Sequence, residues 1–395
     1  MWQKKLLMLN ASEHEIPYIL AAKKLGFYVV TTSTKPDYAG HKYADQYILG
    51  NYNNYEEMID LVNREEIDAI SHGCADDCAL TASYVGQACG LKGHDTYENA
   101  CIIHRKDKFK EFAEKNNVLT PISRTFAYAK EALYMKDTIE YPCIIKPTDL
   151  AGGQGIKIAN NDAEYAQCVE AALEWSKVKH IVVEPYVTGT LHSLNTFIVD
   201  QKVRSYCTAN DYSYLNRYMT NTGSSPADNW ETAIEALIPE TERISGLLGL
   251  VDGQLHMQYI MYDGKPTIIE MMRRNIGNNW MTMLTDSVGI NWPEWVIRAE
   301  AGMDCHLIPE PRQAKGHFGY HMIMADHNGI FDRIVIEPEI QRFVYQVTQW
   351  KENGHQITNY LSEKLGNIVF RFYNDDEKNQ YLPKINELVH ITYKN

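Results

Sequence analysis

At 395 residues the chain is too long for one ordinary core and about right for two or three domains. Its 45% hydrophobic and 23% charged residues are the balance of a folded globular protein, which excludes a disordered one. Lys+Arg 38 against Asp+Glu 51 leaves a net charge of −13, which argues against nucleic acid or an anionic membrane as partner. Any anion site must therefore gather its few cations locally.

The opening Lys4-Lys5-Leu6-Leu7-Met8-Leu9 superficially resembles the start of a secretion signal. The apolar run is short and meets Asn10, Ser12 and Glu13 rather than a cleavage site, so it reads as a first strand. No stretch approaches the ~20 apolar residues of a membrane helix. The 8 cysteines are scattered without a CxxC pair. Cys74 and Cys78 flank Asp76 and Asp77, but no second pair completes a zinc site. Reduced thiols and a cytoplasmic location are the expectation.

The first hundred residues alternate strand and helix. Leu6–Leu9 and Tyr28–Thr32 read as strands around a helix from Ile16 to Leu25 that stops at Gly26. Tyr55–Asn63 reads as a second helix and Ile67–Ile70 as a third strand. One helix between successive strands predicts a parallel sheet covered on both faces. The turn after the first strand, Asn10-Ala11-Ser12-Glu13-His14, has no glycine, so the dinucleotide fingerprint is absent and a dehydrogenase is disfavoured.

From Arg105 to Gly302 the texture changes to hairpins. Tyr141–Pro147 reads as a strand carrying Lys146, followed by Gly152, Gly153, Gln154 and Gly155 and a second strand from Ile156 to Ala159. Strands at Ile181–Val183 and Ser193–Val199 flank Glu184-Pro185-Tyr186-Val187, and Gln258–Tyr262 pairs with Pro266–Glu270 across an Asp263-Gly264 turn. Beyond Gly302 the pattern is antiparallel, with strands at Gly319–Ala325, Ile334–Ile336 and Ile368–Tyr373 and a closing helix near Lys378–Val389. Glycines let backbone N–H groups converge on phosphate oxygens, and a neighbouring lysine adds a point charge. The P-loop pattern is missing and the loop feeds a strand, so by itself the unit reads equally well as a flexible hairpin.

Four further motifs stand in order around it: Asp107-Lys108-Phe109-Lys110, Val183-Glu184-Pro185-Tyr186-Val187, Leu255-His256-Met257-Gln258-Tyr259, and Ile269-Glu270-Met271-Met272-Arg273-Arg274-Asn275. Together they resemble the ATP-grasp superfamily, and the tail from Gly316 resembles the small C-terminal domain of its carboxylase-like branch. The resemblance implies α/β and α+β architecture: an N-terminal Rossmann-like (pre-ATP-grasp) parallel sheet over 1–106, a two-lobed ATP-grasp domain over 107–302, and a small antiparallel C-terminal domain over 303–395. It also implies ATP and Mg2+ as cofactors.

By that resemblance Lys108 and Lys146 would contact ATP phosphates, and Gly152, Gly153, Gln154 and Gly155 would form a flap over them. Glu184 with the backbone of Tyr186 and Val187 would read adenine, and His192 would reach the ribose. Glu270 would hold magnesium with Gln258, and Arg274 would stabilise the transferred phosphoryl group. Two positions depart from the family: Gln258 stands where an acid is usual, and Met272, a soft thioether, where asparagine is usual. A structural reading competes at several positions. Arg273 is an alternative partner for Glu270, His256 can be a core histidine, Arg217 can sit in a solvated loop, and Asp76, Asp77 and His14 can be helix caps.

The function implied is an ATP-dependent ligase that activates a small-molecule carboxylate as an acyl phosphate, releases ADP, and joins it to an amine (or a thiol). The alternatives are a kinase phosphorylating a hydroxyl and a nucleotide-binding protein with a weakened metal site. The implied partners are the two small substrates, with a homodimer left open.

Overall fold

A computed structural model describes residues 3–150, 153–277, 280–311 and 316–394. Gly152, expected in the phosphate flap, lies outside the described residues.

The N-terminal part runs β1 (Lys5–Leu9), α1 (Ile16–Lys24), β2 (Tyr28–Ser33), β3 (Gln46–Leu49), α2 (Tyr55–Glu65), β4 (Ala69–Ser71) and α3 (Asp76–Cys89). The four strands are parallel in the order β3-β2-β1-β4. Leu6 through Leu9 are all inaccessible to solvent, the unbroken apolar run expected of a strand covered on both faces. Asn54 caps α2 by accepting from the Glu57 amide. His14 and Asp76 follow the carboxyl ends of β1 and β4, the edge where open parallel sheets bind ligands.

Helices α4 (Tyr97–His104) and α5 (Lys106–Asn116) lead into a small antiparallel sheet. Its strands are β5 (Arg124–Phe126), β6 (Cys143–Pro147), β7 (Lys157–Ala159) and β8 (Ile181–Pro185), ordered β5-β8-β6-β7. Facing it is an eight-stranded sheet. This comprises β9 (Thr190–Val199), β10 (Lys202–Tyr212), β11 (Thr222–Ser225), β12 (Gly253–Tyr262) and β13 (Lys265–Met272), continued by strands from the C-terminal part. The β12–β13 turn holds Asp263 and Gly264 at φ 48° and 69°, the left-handed pair that a tight hairpin needs.

In the C-terminal part the strands are β14 (His317–Met324), β15 (Gly329–Ile336), β16 (Val344–Gln349), β17 (Gln356–Ile357), β18 (Lys364–Phe372) and β19 (Val389–Tyr393). Pairing of β11 with β14 carries the large sheet, in the order β13-β12-β9-β10-β11-β14-β18-β16, across residue 302 without a break. The expected closing helix is present in pieces. Asp375–Tyr381 and Ile385–Leu388 are helical on either side of a tighter turn, Leu382–Lys384, that holds Pro383, and Val389–Tyr393 then pairs antiparallel with β15. Val389 and Ile391 bury on one face of that strand, a short period-2 signal hidden behind a longer helical one.

Candidate active site

Between the small sheet and the large one lies a cavity of about 520 Å³, reached from all three parts of the chain. At one end Lys146 on β6 and Lys110 on α5 both pair with Glu184 on β8, Lys110 at 2.7 Å. All three are buried. Burial works against the Glu184 charge, but Lys146 and Lys110 outweigh it and hold its carboxyl at about 2. Lys110 also donates to the Thr120 hydroxyl at 2.6 Å. The expected adenine-reading side chain is therefore the counter-ion of two lysines on the cavity wall.

Lys106, one helical turn before Lys110, donates to the Leu150 carbonyl at 2.8 Å and pairs with Glu270 at 3.1 Å. Lys108 does not join them. Positions 106 and 110 share one face of α5, whereas 108 is rotated to the far side and is exposed. The partner of Glu270 is thus Lys106 rather than Arg273.

Tyr186 and Val187 line the cavity. The Tyr186 amide is already committed to the Pro142 carbonyl at 2.9 Å. Arg217 donates to the Tyr186 hydroxyl at 2.8 Å and stacks over the Tyr186 and Tyr218 rings. This ties Tyr186 to the loop after β10, and Arg217 borders the cavity while remaining exposed to solvent, as expected of a solvated loop. Gly153 sits at φ +76°, where an added Cβ would lie 2.3 Å from the Tyr218 Cβ. Gly155 at φ +70° would strike Trp175 and Pro147. Gln154 between them is exposed.

On the large sheet Glu270 is the direct cross-strand partner of Gln258, and Gln258 is in turn the partner of Ser193. All three line the cavity with Asp211 of β10. The Ser193 hydroxyl and the Gln258 amide, the latter at 3.2 Å, both donate to Asp211 Oδ2. Burial pushes the Asp211 carboxyl up to about 6 against those two hydrogen bonds. His192 lies on the other face of β9 from Leu191 and Ser193. It is buried, bonded to the Thr190 hydroxyl at 2.6 Å and stacked on Tyr259 at 5.3 Å. The pleat thus turns the expected ribose contact away from the cavity.

The far end is cationic. Arg274 pairs through Nε with Asp76 and donates to the Asn275 carbonyl at 3.0 Å. Burial opposes the Asp76 charge, but Arg274 and His104 hold its carboxyl well below the usual range. The Met272 thioether accepts from Arg274 at 3.3 Å, so its sulfur serves the guanidinium. Lys364 of β18 lines the same end; burial, with Arg274 adding to it against Glu13, lowers its ammonium to about 8. His14 is kept neutral by burial and by Lys364 and Arg274, and burial then Arg274 bring His256 down to about 3. Among the described residues no group of three or more His, Cys, Asp or Glu could hold a metal on protein ligands alone.

A cavity with lysines at one end, the Glu270 and Asp211 carboxylates and the Gln258 amide midway and an arginine beyond suits a nucleotide triphosphate laid along it. Residues 105–224 match the family described as phosphoribosylglycinamide synthetase, ATP-grasp (A) domain. The chain carries an ATP-grasp fold. Formate-dependent phosphoribosylglycinamide formyltransferase of Prochlorococcus marinus (strain NATL2A) is 24% identical over 321 residues, 78% of each chain. Among solved structures, the L-amino acid ligase of Bacillus licheniformis superposes with a TM-score of 0.80 at 19% identity, covering 100% of both chains. Phosphoribosylglycinamide synthetase of Anaerococcus prevotii gives 0.79 at 21% identity, over 99% of this chain and 100% of the other.

Within this ATP-grasp fold, Lys106, Lys110, Asp211 and Lys364 are cavity residues that motif reading passed over. The lysines at 106 and 110 had a usable signal in their i,i+4 spacing. Asp211 had one too, because it shares strand parity with Ala209, the partner of Ser193 across β9–β10. Lys364 had none, since only the fold brings it to Arg274.

Proposed function

We propose that the protein is an ATP-dependent ligase that joins a small-molecule carboxylate to an amine through an acyl phosphate. The observation that carries this reading is the division of cationic side chains along one cavity. Lys146, Lys110 and Lys106 stand beside the glycine loop, and Arg274 stands past Glu270 at the other end. That spacing serves a polyphosphate and, beyond its terminal phosphoryl group, a second anion.

In the proposed reaction a carboxylate oxygen attacks the γ phosphorus and the bond to the β–γ bridging oxygen breaks, releasing ADP. An amine nitrogen then attacks the acyl carbon, inorganic phosphate leaves, and the nitrogen gives up a proton. Side chains form no covalent bond. Lys146 and Lys110, held by Glu184, place the phosphates; Arg274, steadied by Asp76, holds the acyl phosphate oxyanion in a site shielded from water.

Magnesium is the metal this reading calls for. The Glu270 carboxylate and the Gln258 carbonyl are hard oxygen donors facing the cavity, a set that suits a cation bound mostly by phosphate oxygens and water. When bound, it would neutralise charge on the β and γ phosphates. The test is a panel of carboxylates and amines scored for ADP and free phosphate, with mass spectrometry of products. The reading expects an amide together with both ADP and phosphate. Phosphate retained on the product would make the protein a kinase, and no ADP with any pair would remove catalysis from the reading.

A further inference from the structure

Past Met272 the chain leaves the large sheet, and the backbone of residues 274–276 finds its partners elsewhere. The Asn275 amide goes to the Gly73 carbonyl, and both backbone groups of Ile276 go to the Tyr18 hydroxyl. The Asn275 carbonyl accepts from the Arg274 guanidinium. The Arg274 carbonyl is left to a side chain: the Gln254 amide donates to it at 2.5 Å.

The register puts Gln254 there. His256 pairs with Met272 across β12–β13, so two residues back along β12 the opposite position is 274. Gln254 shares one face of β12 with His256 and Gln258. Where the backbone ladder has ended, its side chain supplies an N–H in the ladder's place. Two single-role partners fix the orientation of the amide. The Trp292 indole, which can only donate, gives its N–H to Gln254 Oε1 at 3.0 Å, and the Arg274 carbonyl can only accept. Trp292 is fully buried edge-on to Phe197, and Gln254 is 5% exposed, so neither can turn to water instead.

The guanidinium is held by Asp76, the Asn275 carbonyl and the Met272 sulfur, and the last two lie within two residues of it. Its aim therefore follows the local backbone. We infer that Gln254 is the positioning residue of Arg274: its amide, oriented by Trp292, latches the carbonyl where the chain leaves the sheet and so aims the guanidinium across the cavity. The inference rests on the reading of Arg274 as the group that holds the acyl phosphate. Gln254 itself does not line the cavity, so it acts on the reaction only through Arg274.

The measurement is ADP formation, per folded protein, with the carboxylate–amine pair that the substrate panel yields. Gln254→Met keeps the length and removes both amide groups. Its kcat should fall roughly ten- to a hundredfold, with the KM for ATP and the ADP affinity within about twofold of the parent. Arg274→Lys has no planar fork to aim, so in that background Gln254→Met should cost no more than about threefold. Trp292→Phe leaves Gln254 in place but frees its amide to turn, and should give the same split with a smaller loss of kcat. A folded Gln254→Met or Trp292→Phe variant with the parent kcat would overturn the inference and leave the ligase reading in place. Equal losses from Gln254→Met in the parent and in Arg274→Lys would do the same, making Gln254 a structural residue. A parent that forms no ADP with any pair would overturn both.

Discussion

Glu184 places one carboxylate between two ammonium groups in a wall that water does not reach, and its neighbours decide its titration. Its folded value of about 2 lies below the 4.5 of a free glutamate. It therefore contributes stability above that free value, and the contribution is lost as pH falls toward 2. Glu184→Gln leaves Lys146 and Lys110 without a counter-charge and should cost roughly 3–5 kcal/mol. The urea midpoint of the parent should fall more between pH 5 and pH 3.5 than that of the variant; equal slopes would show that another group governs this window. Lys146→Ala removes one charge-assisted contact to phosphate and should weaken ATP by about ten- to a hundredfold. Calorimetry on folded protein that finds unchanged affinity would take Lys146 off the phosphates. Arg274→Lys keeps the charge but loses the planar fork, so turnover should fall further than ATP affinity. A lysine variant that melts early yet turns over normally when folded would make Arg274 a structural residue. Lys146 was legible from its glycine loop. Lys106 and Lys110 were obscured because motif order, rather than helix phase, picked out Lys108.

At the scale of elements, the site depends on which way each strand and loop faces. The β12–β13 hairpin was readable because Asp-Gly demands positive φ, and the structure has both residues there. His192 shows the limit of motif order. A one-residue difference in strand parity separates the cavity face, with Leu191 and Ser193, from the core face against Tyr259. The glycine loop is constrained from the opposite side by Tyr218, and that contact was invisible in sequence. Gly153→Ala would place a methyl 2.3 Å from the Tyr218 Cβ at a φ that side chains avoid. The loop and the Tyr218 segment must then separate, loosening the link through Arg217 to Tyr186. ADP affinity should drop while the melting temperature changes little, because loop and segment border the cavity rather than the core. An alanine variant with parent affinity would mean that the loop closes without touching Tyr218.

Across the whole molecule, the Arg274 end of the cavity is fixed by contacts between parts distant in sequence. The Tyr18 hydroxyl donates to the Ile276 carbonyl at 3.1 Å and accepts from the Ile276 amide at 2.9 Å. The Asn275 amide donates to the Gly73 carbonyl at 3.1 Å. The segment carrying Arg274 is thereby pinned to the N-terminal sheet. Such pairings leave no periodic trace, which is why the order of elements was readable while their junction was not. Arg273 and Arg274 divide the work. Arg274 faces the cavity, whereas Arg273 is 6% exposed, pairs with Asp95 at 2.6 Å and donates to the Gln254 carbonyl at 2.7 Å. Arg273→Met strands the buried Asp95 carboxylate and should cost roughly 3–5 kcal/mol, read from urea unfolding. Adding Asp95→Leu removes the stranded charge and should recover much of that loss. Throughout this series the folded protein should keep its ADP affinity, since neither side chain reaches the cavity. A methionine variant as stable as the parent but unable to bind ADP would reverse the assignments of the two arginines.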